Sequence, residues 1–206
     1  MKINISIDGV LRNTIQKLEY IYSNELVDSE TIPQQIIEID EYDNEKIIET
    51  EVNNIEYQIS KPIFNDNILN SFVFNSKEEY ENFVYLEYPL EIFGHANISY
   101  QNAFNDLNSF ILNHKEDEIT LIGLDELGKA KPATLFFLAK NGCLVNNIKF
   151  IKSTDIEKEW RKCDMWITDN FSIIESKTNK RKKAILFSTE YNSNHNNYKN
   201  KTNKIC

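Results

Sequence analysis

The chain opens on a short run in which apolar and polar residues alternate. Residues 3–7 are Ile-Asn-Ile-Ser-Ile, and this period of two with β-branched side chains predicts a strand. Asp8-Gly9 follows, a pair typical of a tight turn. Between residues 13 and 22 the apolar positions recur at three- and four-residue spacing, which predicts an amphipathic helix. The chain is therefore expected to begin as strand, turn and helix.

A regular alternation of strands and helices returns in the second half. Strands are predicted at 119–122, 148–151, 165–168 and 183–187, and helices at 76–88, 100–113, 130–141 and 154–161. Strands that alternate with helices indicate a parallel sheet covered on both faces. We therefore predict an α/β fold with a three-layer, Rossmann-like core, and the first strand joins the same sheet.

The middle of the chain has a different pattern. Over residues 23–75, short Ile, Val and Tyr runs alternate with acids, as in Gln35-Ile36-Ile37-Glu38-Ile39, which predicts irregular structure or a β-hairpin. This change divides the chain into three parts. The core comprises residues 1–13 and 100–190, and the insertion comprises residues 14–99. Residues 191–206 form an Asn- and Lys-rich tail.

Charge follows a similar division. The 206 residues carry 32 acidic and 23 basic side chains, a net charge of −9. Residues 14–117 hold 21 acids and 5 bases, a net −16, so the rest of the chain holds 11 acids and 18 bases, a net +7. The acidic insertion and the basic C-terminal tail predict a protein partner or a homo-oligomer. The negative overall charge disfavours a nucleic-acid ligand.

Composition bears on where the protein works. No window approaches the roughly 18 apolar residues that cross a bilayer, and the first residues lack a signal-peptide pattern. Cys143, Cys163 and Cys206 are an odd set without metal-type spacing, which favours a reduced setting. Abundant Asn and Ile are typical of AT-rich genomes of some bacteria and their bacteriophages. We expect no membrane partner and a cytoplasmic protein, in the host cytoplasm or in the virion if a phage encodes it.

Candidate chemistry lies at the strand ends, because open parallel sheets bind ligands beyond the carboxyl ends of their strands. The residues expected there are Ser6, Asp8, Gly123, Asp125, Lys152, Ser153, Asp169 and Asn170, while Asp164 precedes the fourth strand. Some of them have a structural alternative. Asp8-Gly9 and Asp169-Asn170 suit turns and helix caps, and Lys152 suits a solvated loop.

Two of these segments carry a family resemblance. Residues 5–13, Ile-Ser-Ile-Asp-Gly-Val-Leu-Arg-Asn, resemble the first motif of the haloacid dehalogenase-like (HAD) phosphohydrolases, a strand followed by Asp-x-Asp-Gly-[Val/Thr]-Leu. Residues 163–170 resemble the acid-rich strand end of the fourth motif. Residues 170–187 are similar to the run that leads to the last core strand in the 5'(3')-deoxyribonucleotidases of that superfamily. The resemblance implies a HAD core, with the insertion in the place of a cap.

The resemblance also implies roles for single residues, and the sequence departs from two of them. In the family, the first Asp of the first motif attacks phosphorus and binds Mg²⁺, and the second Asp is the general acid and base. Ser6 and Asp8 stand at these positions. The second motif binds phosphate through a Ser or Thr, and Gly123 stands at the matching position. A neutral serine is a poor nucleophile without a base and a weak ligand for Mg²⁺.

The charged positions of the family have better matches. The third motif supplies a Lys that offsets phosphate charge, and Lys152 matches it better than Lys158 does. The Mg²⁺-binding carboxylates are matched by Asp8, Asp164 and Asp169.

Loss of the attacking Asp predicts a non-catalytic HAD-fold protein that serves as an interaction or structural component, for example of a phage particle. Two alternatives stay open. One is a Mg²⁺-dependent nucleotide phosphatase that works through Asp8, with water or Ser6 as the attacking group. The other is a sensor that binds a nucleotide without cleaving it. Mg²⁺ is expected only for an active enzyme. The aromatic run at residues 87–96 is expected to pack the insertion onto the sheet or to cover a site.

Overall fold

The fold is taken from a computed structural model of the full chain. It describes residues 1–27, 72, 74–170, 173, 182–189 and 192, and the strand backbones at 36–39 and 45–48. The proposed tail, residues 191–206, therefore lies almost wholly outside the described residues, as does much of residues 28–71.

Five parallel strands form the sheet at the centre of the molecule. They are β1 (Lys2–Ser6), β4 (Glu118–Leu124), β5 (Ile148–Ile151), β6 (Met165–Thr168) and β7 (Lys183–Leu186). Their order is β5-β4-β1-β6-β7, and every pairing is parallel. The chain first builds outward from β1 to one side and then returns to build the other side. The prediction of a parallel α/β sheet that contains the first strand is confirmed.

Helices connect these strands at the predicted places. They are α1 (Thr14–Tyr22), α2 (Lys77–Asn82), α3 (Ala103–Asn113), α4 (Lys131–Lys140) and α5 (Ile156–Trp160). The predicted start of α2 is confirmed, because Ser76 Oγ accepts from the Glu79 N–H at 3.1 Å. Glu79 reaches back to the N–H of Asn75, one residue earlier than the reciprocal bond of a capping box.

Beyond α2 the chain continues in two short helical pieces. Two short π-helical turns, Phe83–Glu87 and Leu90–Gly94, flank Pro89. Proline has no N–H to continue a helix, and Tyr88 directly before it leaves the helical conformation, with a φ of −121° and a ψ of 33°. A separate hairpin, β2 (Ile36–Ile39) antiparallel to β3 (Glu45–Ile48), lies in the segment where a hairpin was one of two expectations.

Apolar side chains pack on both faces of the sheet. One face buries Ile3, Ile5 and Leu121 against α3 and α4, and the other buries Ile122 and Trp166 against α5. Helices therefore pack on both faces of the sheet, as predicted for an α/β fold. Within the described ranges, no helix combines the length and apolar character that a membrane crossing requires.

A satellite core joins the insertion to this body. It contains Leu18, Ile21, Tyr22, Phe72, Phe83, Val84, Tyr85, Ile92, Phe93, Ala130 and Ala133. The aromatic run at 87–96 therefore contributes to packing, as expected, because Ile92 and Phe93 bury against the first turn of α4. This packing places the two π-helical turns next to the carboxyl edge of the sheet.

Candidate functional site

The sheet order has its reversal at β1, which lies between β4 and β6. A reversal of this kind opens a crevice at the carboxyl ends of the strands, because the connections on its two sides run in opposite directions. Ser6 ends β1 and Thr168 ends β6. The side chains that follow these two strands are therefore the ones that line the candidate site.

The Ser6 hydroxyl is bonded on two sides. Trp166 Nε1 donates to Ser6 Oγ at 3.0 Å, and Ser6 Oγ donates to Thr168 Oγ1 at 3.0 Å. Thr168 Oγ1 also accepts from the Asn170 N–H at 3.1 Å. This series of bonds contains no side chain that could take a proton from Ser6, as activation of a serine nucleophile requires. The arrangement holds Ser6 as a structural hydroxyl.

Asp8 is ion-paired within the turn after β1. Its Oδ1 accepts from Arg12 Nη2 at 2.6 Å, from Arg12 Nε at 3.1 Å and from the Thr14 hydroxyl. Bonds between a guanidinium and a carboxylate are among the strongest in proteins. The negative charge of Asp8 is thus compensated by the chain itself.

Arg12 is fully buried and has further partners. Its Nη1 donates to the Phe93 carbonyl at 2.8 Å and to Thr134 Oγ1 at 3.0 Å. The guanidinium carbon lies 4.9 Å from the ring centre of Phe93 and 5.3 Å from that of Phe137. Arg12 therefore ties the turn after β1 to the insertion and to α4. Sequence reasoning missed this residue. The usable signal was a basic residue four positions after Asp8 and directly after two apolar residues.

Asp169 follows β6 and lies against the same turn. A Cβ atom at residue 9 would fall 1.8 Å from Asp169 Oδ2, so only glycine leaves room for this carboxylate. Gly9 also has a φ of 75°, which glycine adopts without strain. Burial, and next the charge of Asp8, raise the pKa of Asp169 to about 7. The structure thus brings the predicted pair Asp8 and Asp169 together, with unequal surroundings.

A cavity of about 150 Å³ lies between these strand ends and the insertion. Its polar wall includes Ser6, Asp8, Thr168 and Asp169, and its apolar wall includes Tyr80, Tyr85, Phe93, Ile122, Leu124 and Trp166. Asp169 also lines a second cavity of about 180 Å³, where Ser99, Ser188 and Thr189 face it. The fold brings Tyr80 from α2 and Tyr85 from the π-helical turn that follows it to the wall of this cavity.

Gly123 lies inside β4, not at its end. A Cβ there would meet the Phe150 ring at 3.2 Å and Ile7 at 3.4 Å, so the position is occupied by packing. Asp125 follows β4 and is buried. Its carboxylate accepts the N–H groups of Lys129, Ala130 and Lys131 at the start of α4. Gly123 is therefore explained by packing, and Asp125 by its bonds to the first N–H groups of α4.

Lys152 and Asp164 do not reach the cavity wall. Lys152 is exposed after β5, two strands from β1 and so about 10 Å to the side. Asp164 precedes β6, and its Oδ2 accepts from the Lys2 N–H at 2.8 Å at the opposite edge of the sheet. A strand of this length separates Asp164 from Asp169 by roughly 16 Å. The predicted grouping of Asp8, Asp164 and Asp169 is therefore corrected to Asp8 and Asp169.

The resemblance implies Mg²⁺ at this edge, and the donor set does not fit it. Among the residues that the structure describes, no group of three or more His, Cys, Asp or Glu side chains is placed to hold a metal ion. Asp8 is already bonded to Arg12, and Ser6 offers a neutral oxygen that is bonded to Trp166 and Thr168. Mg²⁺ sites in proteins use carboxylate and phosphate oxygens that are free to bind.

The chain was also compared with known proteins. No protein-family model matches it, and no curated protein matches it significantly.

Proposed function

We propose that this chain is a non-catalytic protein with a HAD-type core, and that it works by binding a partner. The observation that carries the proposal is the state of Ser6. This residue stands where the family places its nucleophile, and its hydroxyl is bonded between Trp166 and Thr168. Removal of an attacking group abolishes essentially all of the covalent reaction that depends on it.

Three features support the HAD-type core. The strand with the first motif is central in the sheet, between β4 and β6. The insertion leaves the core directly after this strand and packs back over its carboxyl edge through the satellite core. Asp8 and Asp169 meet across neighbouring strands, as residues of the first and fourth motifs are expected to do.

The test is an assay for phosphatase activity. Purified protein is incubated with para-nitrophenyl phosphate and with deoxynucleoside monophosphates in the presence of Mg²⁺, and phosphate release is measured. We expect no turnover above the protein-free blank. Turnover that Asp8→Asn abolishes would overturn the proposal. Ser6→Asp restores the carboxylate of the family motif, so activity in that variant alone would support the HAD relationship and leave the natural chain non-catalytic.

An altered nucleotide phosphatase is the second candidate, because Asp8 and Asp169 do come together at the strand ends. It would need Ser6 or a water as the attacking group, and Asp8 as the acid and base. The ion pair between Arg12 and Asp8 counts against it, since a general base must be free to accept the substrate proton. The same assay separates the two candidates.

The partner is proposed from charge. Residues 14–117 carry −16 and the rest of the chain +7, so a basic protein surface, including that of a second copy, would be attracted to the insertion. Sedimentation velocity at about 0.05 M and about 0.5 M salt tests self-association, because salt screens such contacts. We expect an oligomer at low salt that dissociates at high salt and is weakened by removal of residues 191–206. For a chain encoded by a phage, the partner would be in the host cytoplasm or the virion.

A further inference from the structure

The wall of the cavity over β1 and β6 includes a mostly buried tyrosine. Tyr85 lines the cavity and its side chain is 5 % exposed. Within the described part of the chain, no hydrogen bond is made by its hydroxyl. Among the described residues, only Trp160 Nε1 is a fully buried side-chain polar atom without a partner, so the Tyr85 hydroxyl keeps access to the cavity and can donate to, or accept from, a group bound there.

The charges around the cavity are negative. Asp8 and Asp169 line it, and the described lining residues include no Lys, Arg or His. Arg12 lies behind the wall and is bonded to Asp8, which leaves the carboxylate of Asp169 uncompensated. The charges of Asp8 and Glu126 also contribute, after burial, to the raised pKa of Tyr80 and of Tyr85. A phosphate or another anion would meet repulsion here, and a cation would meet attraction.

The rest of the wall is apolar and partly aromatic. Tyr80, Tyr85 and Trp166 contribute rings, and Ile122 and Leu124 contribute aliphatic carbon. Aromatic rings attract organic cations as well as apolar groups. A cavity of about 150 Å³ with apolar walls has the size that accepts benzene in another protein. It is small for a nucleotide, because pockets for larger ligands start at about 300 Å³.

We propose that this cavity binds a small organic cation, a protonated primary amine on a compact apolar body about the size of benzylammonium. The ammonium group donates to the Asp169 carboxylate and to the Tyr85 hydroxyl, and the apolar body packs against Ile122 and Leu124. Binding of this kind involves no reaction, so it does not depend on the outcome of the phosphatase assay.

The test uses three probes of similar shape that differ in charge. Benzylammonium, benzyl alcohol and benzoate are each titrated into the full-length protein by isothermal titration calorimetry, together with inorganic phosphate. We expect benzylammonium to bind at least about tenfold more tightly than benzyl alcohol, and benzoate and phosphate not to bind.

Variants locate the site. Asp169→Asn is expected to remove the preference for the cation and to leave binding of benzyl alcohol unchanged. Tyr85→Phe is expected to weaken the cation by about threefold to tenfold, the loss of one hydrogen bond. The matched controls are Asp155→Asn and Tyr88→Phe. Asp155 lies outside the cavity lining, and the Tyr88 hydroxyl bonds to Glu25. Neither control is expected to change the affinity.

Three results would overturn the proposal. Equal affinity for benzylammonium and benzyl alcohol would indicate an apolar cavity without charge selection. Preferential binding of benzoate or phosphate would indicate an anion site. The absence of heat for all four probes, with a cooperative thermal transition that shows folded protein and with no shift of that transition by benzylammonium, would exclude this ligand class.

Discussion

The ends of β1 and β6 each present one aspartate to the same cavity, and the two have opposite surroundings. Asp8 bonds to Arg12 and to Thr14. Asp169 faces Gly9 and the charge of Asp8, and in the described residues no cation is bonded to it. Burial therefore penalises the charge of Asp169, and its pKa rises to about 7.

The difference shows how one buried arginine gives two identical side chains different electrostatic surroundings. Arg12 is ion-paired, bonded to a carbonyl and a hydroxyl, and close to the rings of Phe93 and Phe137, so its desolvation is offset by several contacts. The ion pair between Asp8 and Arg12 therefore has a structural role. Asp169 has no such compensation, and it is the carboxylate left to interact with a ligand.

Loss of the arginine should have the largest effect. Arg12→Met leaves the half-buried Asp8 without its ion pair, together with an unpaired Phe93 carbonyl, so we expect a loss of about 3–5 kcal/mol in the free energy of unfolding. Urea denaturation followed by circular dichroism measures it. Arg161→Met is the control, because Arg161 is an exposed residue paired with Glu157, and it should change stability little. Equal stability of the two variants would show that the buried arginine does not hold the turn.

A side chain at residue 9 should disturb the contact between the two regions. Gly9→Ala introduces strain from the positive φ and a collision with Asp169, and we expect a loss of about 2–4 kcal/mol. Gly128 has a φ of 73°, and a Cβ at that residue would have no atom within 4 Å, so Gly128→Ala should lose only about 1–2 kcal/mol. Thermal unfolding measures both. In an Asp169→Ala background the loss for Gly9→Ala should shrink to that of Gly128→Ala; an unchanged loss would contradict the close contact.

Neutralising Asp169 should have the smallest effect, and that effect should depend on pH. The pKa of Asp169 is near 7 in the folded protein and near its ordinary value of 3.8 in the unfolded chain. Between these values the folded protein holds one more proton, so stability falls as pH rises from about 4 to about 7 and stays reduced above. Asp169→Asn removes this penalty.

We therefore expect Asp169→Asn to raise the free energy of unfolding at about pH 8 by on the order of 1 kcal/mol or more, or about 2–4 °C in Tm. At about pH 4 the gain should disappear. Thermal unfolding at a series of pH values measures it, with Asp155→Asn as the exposed control. A gain that is equal at all pH values would show that Asp169 does not titrate as described.

The local sequence pattern was sufficient to predict most of the strands and helices of the sheet. The strand predicted at 165–168 has those bounds, and the helix predicted at 100–113 is observed as Ala103–Asn113. Period and turn residues are local properties, and they determine where an element lies. The pairing of Asp8 with Asp169 was also accessible, because the carboxyl ends of parallel strands share one edge. The same rule places Asp164, which precedes its strand, at the other edge.

The roles of the site residues could not be obtained in this way. Ser6 was recognised as a departure from the family motif, but Trp166, which bonds to it, is 160 residues away. Arg12 was visible as a base near Asp8, yet its burial depends on Phe93 and Thr134 from distant segments. Tyr85 lies in a short π-helical turn, and the cavity that it lines exists only where the insertion packs on the sheet.

The sequence by itself determined the strands, the helices, the turn at Asp8-Gly9, the division of charge and the absence of an Asp at residue 6, because each is a local or compositional property. Only the tertiary structure decided which carboxylate is compensated, which hydroxyl is free and how large the cavity is. Those properties depend on contacts between segments that are tens to hundreds of residues apart, and burial sets their electrostatic strength.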